Sequence, residues 1–321
     1  MGQRVNYVII ENSQQTIYYS HWRATNIWSD LYLGEKRFLT FVRECEMRDE
    51  LLDESSMEAF VIVDPGKKQL FFDASHGPGH SSVINLYVKE LGKRWRGWQV
   101  ERLRNWTYDV EPILAIDYAS MQGFNEVLLV TVEELELDRI ESVITTLVII
   151  KEGSNLYPVG MGDISPVGIV ALGEQVINVL LHKPSMELLL ENYKDRIGGV
   201  VIDTHEKHIF MSSSYCGLWE NSKEKWPGYQ FIMGEYGYID TLELAGIEVG
   251  HLRMPMEEAL EHFHDTIKQE DNFDPKDFAN AILKRHPDIQ FNPSFFDNIK
   301  PKPTFFERVK SNLQKVFGVK N

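Results

Sequence analysis

The run Phe60-Val61-Ile62-Val63-Asp64, followed by Lys68-Gln69-Leu70-Phe71, returns 139 residues later as Gly199-Val200-Val201-Ile202-Asp203 and Lys207-His208-Ile209-Phe210. Each copy is a β-rich run, a turn (Pro65-Gly66, or residues 204–207) and a second β-rich run, which is the pattern of a hairpin. Two further matches keep the order. Upstream, Val8-Ile9-Ile10 aligns with Val148-Ile149-Ile150 at an offset of 140, and Ile17-Tyr18 with Leu156-Tyr157 at 139. Downstream, Trp95-Arg96-Gly97-Trp98-Gln99 aligns with Trp226-Pro227-Gly228-Tyr229-Gln230 at 131. Ordered matches at nearly constant spacing mark an internal repeat, so a tandem duplication is expected.

Working outward, each copy reads as hairpin, helices, hairpin, helix and strand. The first hairpins cover residues 5–10 with 16–20, and 146–150 with 156–160. Helices are expected over 36–43 and 169–181, then 49–53 and 186–193. The second hairpins cover 59–64 with 69–73, and 199–203 with 208–212. A helix over 81–91 is clear in the first copy and weak in the second, and strands at 98–103 and 229–233 close the copies. Hairpins mixed with helices, without βαβ alternation, predict an α+β fold. The expected domains are a first α+β repeat (1–130), a second (131–255) and a helical C-terminal extension (256–321).

In that extension, Met256, Leu260, Phe263 and Ile267 fall on one face of a helix over 255–268. Asp274-Pro275 opens another helix, which His286-Pro287 ends. Lys300-Pro301-Lys302-Pro303 is a semi-rigid linker to a basic amphipathic segment, 304–317. There Thr304 and Glu307 form a capping box, and Phe306, Val309, Leu313, Val316 and Phe317 make an apolar stripe, with Arg308, Lys310 and Lys315 outside it.

The chain has 321 residues, 25% of them charged and 43% hydrophobic, as in an ordinary water-soluble domain. No apolar run reaches the ~18–20 residues of a membrane helix. The start leads directly into a strand without a signal-peptide pattern, and two cysteines, Cys45 and Cys216, are too few for a disulfide scaffold or a zinc finger. A reduced, cytoplasmic protein is therefore expected. Net charge is −15. Residues 300–321 hold six basic residues against Glu307 alone, net +5, so the preceding 299 carry −20. Such a balance argues against nucleic acid as a partner and for basic proteins or small molecules.

No linear catalytic signature is present. Gly160-Met161-Gly162 lacks the third glycine of a dinucleotide fingerprint, and there is no Walker lysine, G-x-S-x-G or H-E-x-x-H. The pairs His76/His80, His205/His208 and His262/His264 lack the ligand spacing of a known metal class, so neither metal nor cofactor is expected. Arg4, His21 and Trp22 are candidates for a small polar pocket; the competing reading has His21 and Trp22 locking the first hairpin onto the first helix. Trp95 and Trp226, at matched repeat positions, read as core. Trp219, Tyr236 and Tyr238 among Glu220, Glu224, Glu235 and Asp240 suit an interface with a basic protein, unless they only rim an aromatic core.

The opening Gly2-Gln3-Arg4-x-Asn6, then Tyr18-Tyr19-x-His21-Trp22 and Trp95-x-Gly97-Trp98, resembles a family of uncharacterised bacterial cytosolic proteins. The resemblance covers residues 1–235 and implies no catalytic residues. The acidic, motif-free character also resembles immunity proteins of bacterial polymorphic toxins. That resemblance implies an antitoxin-like protein, a monomer or one-to-one complex, that sterically neutralises a basic toxin domain such as a nuclease or ADP-ribosyltransferase. The alternatives are an enzyme with a small-molecule site between the duplicated halves, or a regulatory or scaffolding protein.

Overall fold

Strand β1 (Val5–Glu11) folds back as β2 (Gln14–Ser20) through Asn12-Ser13, both at positive φ, 52° and 63°. A two-residue turn of that hand matches the twist of the strands it joins. β3 (Glu46–Arg48) pairs with β2, and β4 (Ala59–Asp64) with β5 (Gln69–Ala74) forms the second hairpin, flanked by β6 (Gln99–Arg102). The computed structural model describes residues 3–52, 57–74, 77–78, 81–103, 106–116, 130–137, 144, 146–185, 198–211, 218–234, 238–249, 253–268, 275–291 and 296.

The first sheet has the order β3-β2-β1-β4-β5-β6, with β1/β4 and β5/β6 parallel and the other pairs antiparallel. The second sheet is built from β7 (Thr146–Glu152), β8 (Asn155–Met161), β9 (Gly198–Asp203), β10 (His208–Met211) and β11 (Gln230–Met233). Its order is β11-β10-β9-β7-β8, with β7/β9 and β10/β11 parallel. Apart from β3, the two sheets share strand order and strand sense. The fold is α+β.

The structure corrects the offset of the first hairpin. Glu11 pairs with Gln14 across one turn and Glu152 with Asn155 across the other, an offset of 141. The central pairing agrees, since Val5 faces Ala59 and Thr146 faces Gly198. Tyr7 and Val148 then lie on one sheet face, Val8 and Ile149 on the other. The alignment of Val8 with Val148 is one residue out, and one residue in a strand exchanges the faces. Similar apolar runs conceal such a slip; the turns do not.

Both faces of each sheet are covered, which is why β4 is buried along its whole length and apolar up to Asp64. In the first half, α1 (Ile27–Tyr32), α2 (Glu35–Val42) and α3 (Ser81–Arg94) pack over Tyr7, Ile9, Val61 and Val63, while α4 (Trp106–Leu114) covers Val8, Phe60 and Ile62. The connecting helix α5 (Val132–Leu137) is opened by a capping box, in which the Glu134 amide donates to Thr131 Oγ1 and the Thr131 amide to Glu134 Oε2. In the second half, α6 (Pro166–Leu172), α7 (Val176–His182) and α8 (Leu218–Ser222) cover one face and α9 (Tyr238–Leu244) the other.

The repeated tryptophans are equivalent anchors. Trp95 Nε1 donates to the Leu31 carbonyl at 2.9 Å and Trp226 Nε1 to the Val170 carbonyl at 2.8 Å, and both rings are buried. Backbone singularities recur with them: Lys68 and Lys207 at φ 55° and 56°, Gly97 and Gly228 at 76° and 81°, Gly34 and Gly173 at 83° and 86°. Most of the drift from 139 to 131 comes from the replacement of the fourteen-residue α3 by the five-residue α8 and a three-residue 3-10 turn, Lys223–Lys225.

Several expectations are revised. The helix over 169–181 is broken by Gly173 into α6 and α7. Residues 49–52 are not helical, and the preceding residues form β3 instead. The helix α4 went unread because Pro112 lies inside it. α10 (Met256–Lys268) is part of the first half's core: Ala259 and Phe263 are buried there, Phe263 5.6 Å from the Tyr32 ring and 6.3 Å from that of Tyr87. Met256 and Leu260 stay exposed, so the expected four-residue face is divided. α11 (Pro275–Arg285) sets Phe278 against Trp22. The helix over 186–193, the linker at 300–303 and the amphipathic segment 304–317 lie outside the described residues.

Candidate functional site

Arg4, His21 and Trp22 do come together, at the end of the first sheet where β1 begins and β2 ends. The Arg4 guanidinium pairs with Glu58 at 3.5 Å, and the Tyr19 hydroxyl and His21 Nδ1 share a hydrogen bond of 2.7 Å. Arg48 lies over the Tyr19 ring at 4.2 Å. Burial, and then the positive charge of Arg4, lower the pKa of His21, so the imidazole is neutral near pH 7. Its ring rests 4.4 Å from that of Trp22, which is itself buried under Phe278. The group ties β1, β2, β3 and α11 together; Trp22 acts in it as packing.

A buried polar group beneath it was not read from the sequence. Arg23 makes a two-point ion pair with Asp30, Nε to Oδ2 at 2.8 Å and Nη2 to Oδ1, inside the first core beside Phe41. Burial raises the Asp30 pKa in spite of Arg23. Burial likewise pushes the Cys45 thiol up to about 12, which removes it as a nucleophile.

The acidic-aromatic candidates do not form one patch. Trp219 on α8 stacks on Phe231 of β11 at 5.5 Å, with Glu220 and Glu224 exposed beside it. Asp240 is buried on α9, across the sheet, and accepts from Arg253 Nη2 at 2.8 Å. Arg253 also bridges to Glu243, whose hydrogen bond, with that of Asp240, raises the Arg253 pKa. Tyr238 opens α9, and Glu235 and Tyr236 lie outside the described residues. A surface at this end thus consists of Trp219, Glu220 and Glu224, without Asp240.

A cleft of about 390 Å³ is lined by Phe71, Glu101, Arg102, Leu103, Asp109, Pro112 and Ile113 from the first half and Met233 from the second. Arg102 Nε donates to Asp73 at 2.6 Å, and burial raises the Asp73 pKa against that neighbour. These lining residues offer carboxylates and a guanidinium but no hydroxyl, thiol or imidazole. Among the described residues no group of three or more His, Cys, Asp and Glu is placed to hold a metal ion, and no helix is long and apolar enough to cross a membrane.

Comparison with protein-family models, curated proteins and solved structures finds no match. The geometry is what remains to argue from.

α10 is the most distinctive acidic surface. Its inner side is fixed by Ala259 and Phe263. At the edge of that side Met256 and Leu260 stand one turn apart at 65% and 39% exposure, in a row that continues as His264 and Lys268, and Glu257, Glu261 and Asp265 form the adjoining, outward row. Neighbours at i and i+4 share a helix face, so an apolar row and an acidic row run side by side. The sequence carried this signal, but four apolar residues at helical spacing read as one buried face.

Proposed function

We propose that the chain is a non-catalytic binding protein of the immunity type, which acts in the bacterial cytoplasm by covering a basic toxin domain. The observation that carries this reading is the exposed flank of α10, where Met256 and Leu260 adjoin Glu257, Glu261 and Asp265. An apolar anchor beside like charges is complementary to a basic surface with an apolar centre, and exposed methionine adapts to its partner. The −20 of residues 1–299 steers a basic domain towards it. Toxins that act on nucleic acid or on nucleotide-binding proteins present such clefts. Trp219 with Glu220 and Glu224 offers a second, smaller contact of the same chemistry.

The test is association kinetics with purified nuclease and ADP-ribosyltransferase toxin domains. The paired change Glu257→Lys/Glu261→Lys slows binding about tenfold or more at low salt, and the difference shrinks as salt rises. Unchanged kinetics would remove α10 from the reading. The enzyme reading rests on the cleft between the halves. Glu101→Gln or Asp109→Asn would abolish a turnover that depended on it and leave stoichiometric binding intact.

A further inference from the structure

We infer that the exposed flank of α10, Met256 and Leu260 with the acidic row beside them, is the docking surface for this chain's own segment 304–317, which lies outside the described residues. The surface is asymmetric in a way that calls for a specific occupant. Met256 and Leu260 expose apolar area on a helix that is otherwise fixed in the first core, and the row beside them is wholly acidic, Glu257, Glu261 and Asp265. Segment 304–317 has the converse pattern: Phe306, Val309, Leu313, Val316 and Phe317 at helical spacing, bordered by Arg308, Lys310 and Lys315. Charge complementarity therefore accompanies apolar complementarity.

Connectivity supports the same occupant. The segment belongs to the same chain, tethered through Lys300-Pro301-Lys302-Pro303 downstream of α11, and a tether replaces bulk concentration by an effective one of order millimolar. A contact too small for a stable two-chain complex is sufficient under that condition. An amphipathic helix of this length is marginal alone in water and persists where its stripe is covered. If α10 is also the partner-binding surface proposed above, the segment is an internal competitor that a basic partner displaces, with the same chemistry and a lower affinity.

Amide hydrogen exchange on the full-length protein alone tests this. Residues 304–317 exchange at least tenfold more slowly in the full chain than in a peptide of the same residues. Glu257→Lys/Glu261→Lys brings them to the peptide rate, as does Arg308→Glu/Lys310→Glu/Lys315→Glu, which leaves α10 untouched. Combining both sets restores protection, an outcome that misfolding cannot produce. Peptide-rate exchange in the parent protein overturns the inference, as does protection that survives the reversals. Protection that needs anionic vesicles, or that rises with protein concentration, also overturns it, in favour of a membrane or a second copy. No partner is present in this experiment, so its failure leaves the toxin-binding reading standing, and a failed toxin titration leaves the tail result standing.

Discussion

The two halves share a frame and differ in what fills it. In the first, Asp30 sits in the helix that supplies the Leu31 carbonyl to Trp95, and it is buried against Arg23. In the second, the matching helix supplies the Val170 carbonyl to Trp226, and the place of Asp30 is taken by Ile169, fully buried. The fourteen-residue α3 of the first half is answered by the five-residue α8 of the second, and α10 adds a further layer to the first half. The frame is carried by few residues: a tryptophan donating to a helix carbonyl, a lysine at positive φ in the second hairpin, and glycines where only glycine is unstrained. Core chemistry drifts freely around them. Two halves that share these anchors but hold an ion pair in one and an isoleucine in the other show how little of the interior the common frame dictates.

The largest effect that sharpens this comparison is the loss of an anchor. Trp95→Ala and Trp226→Ala each destabilise by about 3–5 kcal/mol, since each removes a buried ring and its hydrogen bond to a helix carbonyl, which keeps only the Gly34 or Gly173 amide as donor. Urea unfolding should return comparable losses. A cost confined to one tryptophan would break the equivalence.

Next is the buried pair. Asp30→Ile alone removes the carboxylate paired with the buried Arg23 guanidinium and costs about 3–5 kcal/mol. Arg23→Leu/Asp30→Ile, which moves the first half towards the second, loses much less or gains stability. A double variant worse than the single would show that the ion pair has no apolar substitute in this core.

The glycines are smaller and graded. Gly34 and Gly173 have φ of 83° and 86°, so alanine at either costs about 1–3 kcal/mol. A Cβ at Gly173 would lie 2.5 Å from Lys225 Cβ and 2.9 Å from its carbonyl oxygen, whereas at Gly34 the nearest atom is 3.9 Å away. Gly173→Ala is therefore the worse of the two by thermal unfolding; the reverse order would contradict the packing described.

Acid produces the smallest difference, and the buried carboxylates of the two halves contribute to it with opposite sign. Asp203 is buried, which works against its charge, but the Glu206 amide, Lys151 and the His205 amide hold its pKa below the usual value. Its contribution is present above pH 3.8 and is lost as pH falls through the lower, folded value. Asp30 and Asp73 have raised values, so theirs is full below pH 3.8 and lost as pH rises through the folded values. The lowered pKa of His21 makes its contribution full above 6.5 and lost as pH falls through the folded value. Hydrogen-exchange protection of β7 and β9 should thus weaken relative to that of β1 and β4 from pH 4 to 3. Parallel behaviour in both sheets would refute these assignments.

Much of the frame was legible. Hairpin runs, the W-x-G-[WY]-Q anchors and the matched lysines were all visible, because turns and anchors need particular residue types. The pair Gly34-Glu35 and Gly173-Glu174, at the same offset of 139, was equally visible and went unread. The register of the first hairpin was legible only from its turn, where Glu11 and Ser13 match Glu152 and Ser154 at 141, since Val, Ile and Leu are interchangeable on a strand buried on both faces. Nor was the Arg23–Asp30 pair, whose seven-residue separation says nothing about burial. The placement of α10 on the first half was also hidden, because local periodicity identifies an apolar stripe without identifying its partner. Of the candidate site, Arg4, His21 and Trp22 lie near one another because all three flank the open end of one hairpin. Asp240 was misassigned because its counter-ion, Arg253, lies beyond the stretch in which the acids cluster.

The central functional claim, occlusion by an acidic surface without turnover, is tested most directly by titrating the full-length protein into active nuclease and ADP-ribosyltransferase toxin domains. Activity of the cognate domain should fall linearly to zero at one equivalent and return when the complex is dissociated in high salt. Restoration of already modified substrate by a small fraction of an equivalent, continuing with time, would contradict it.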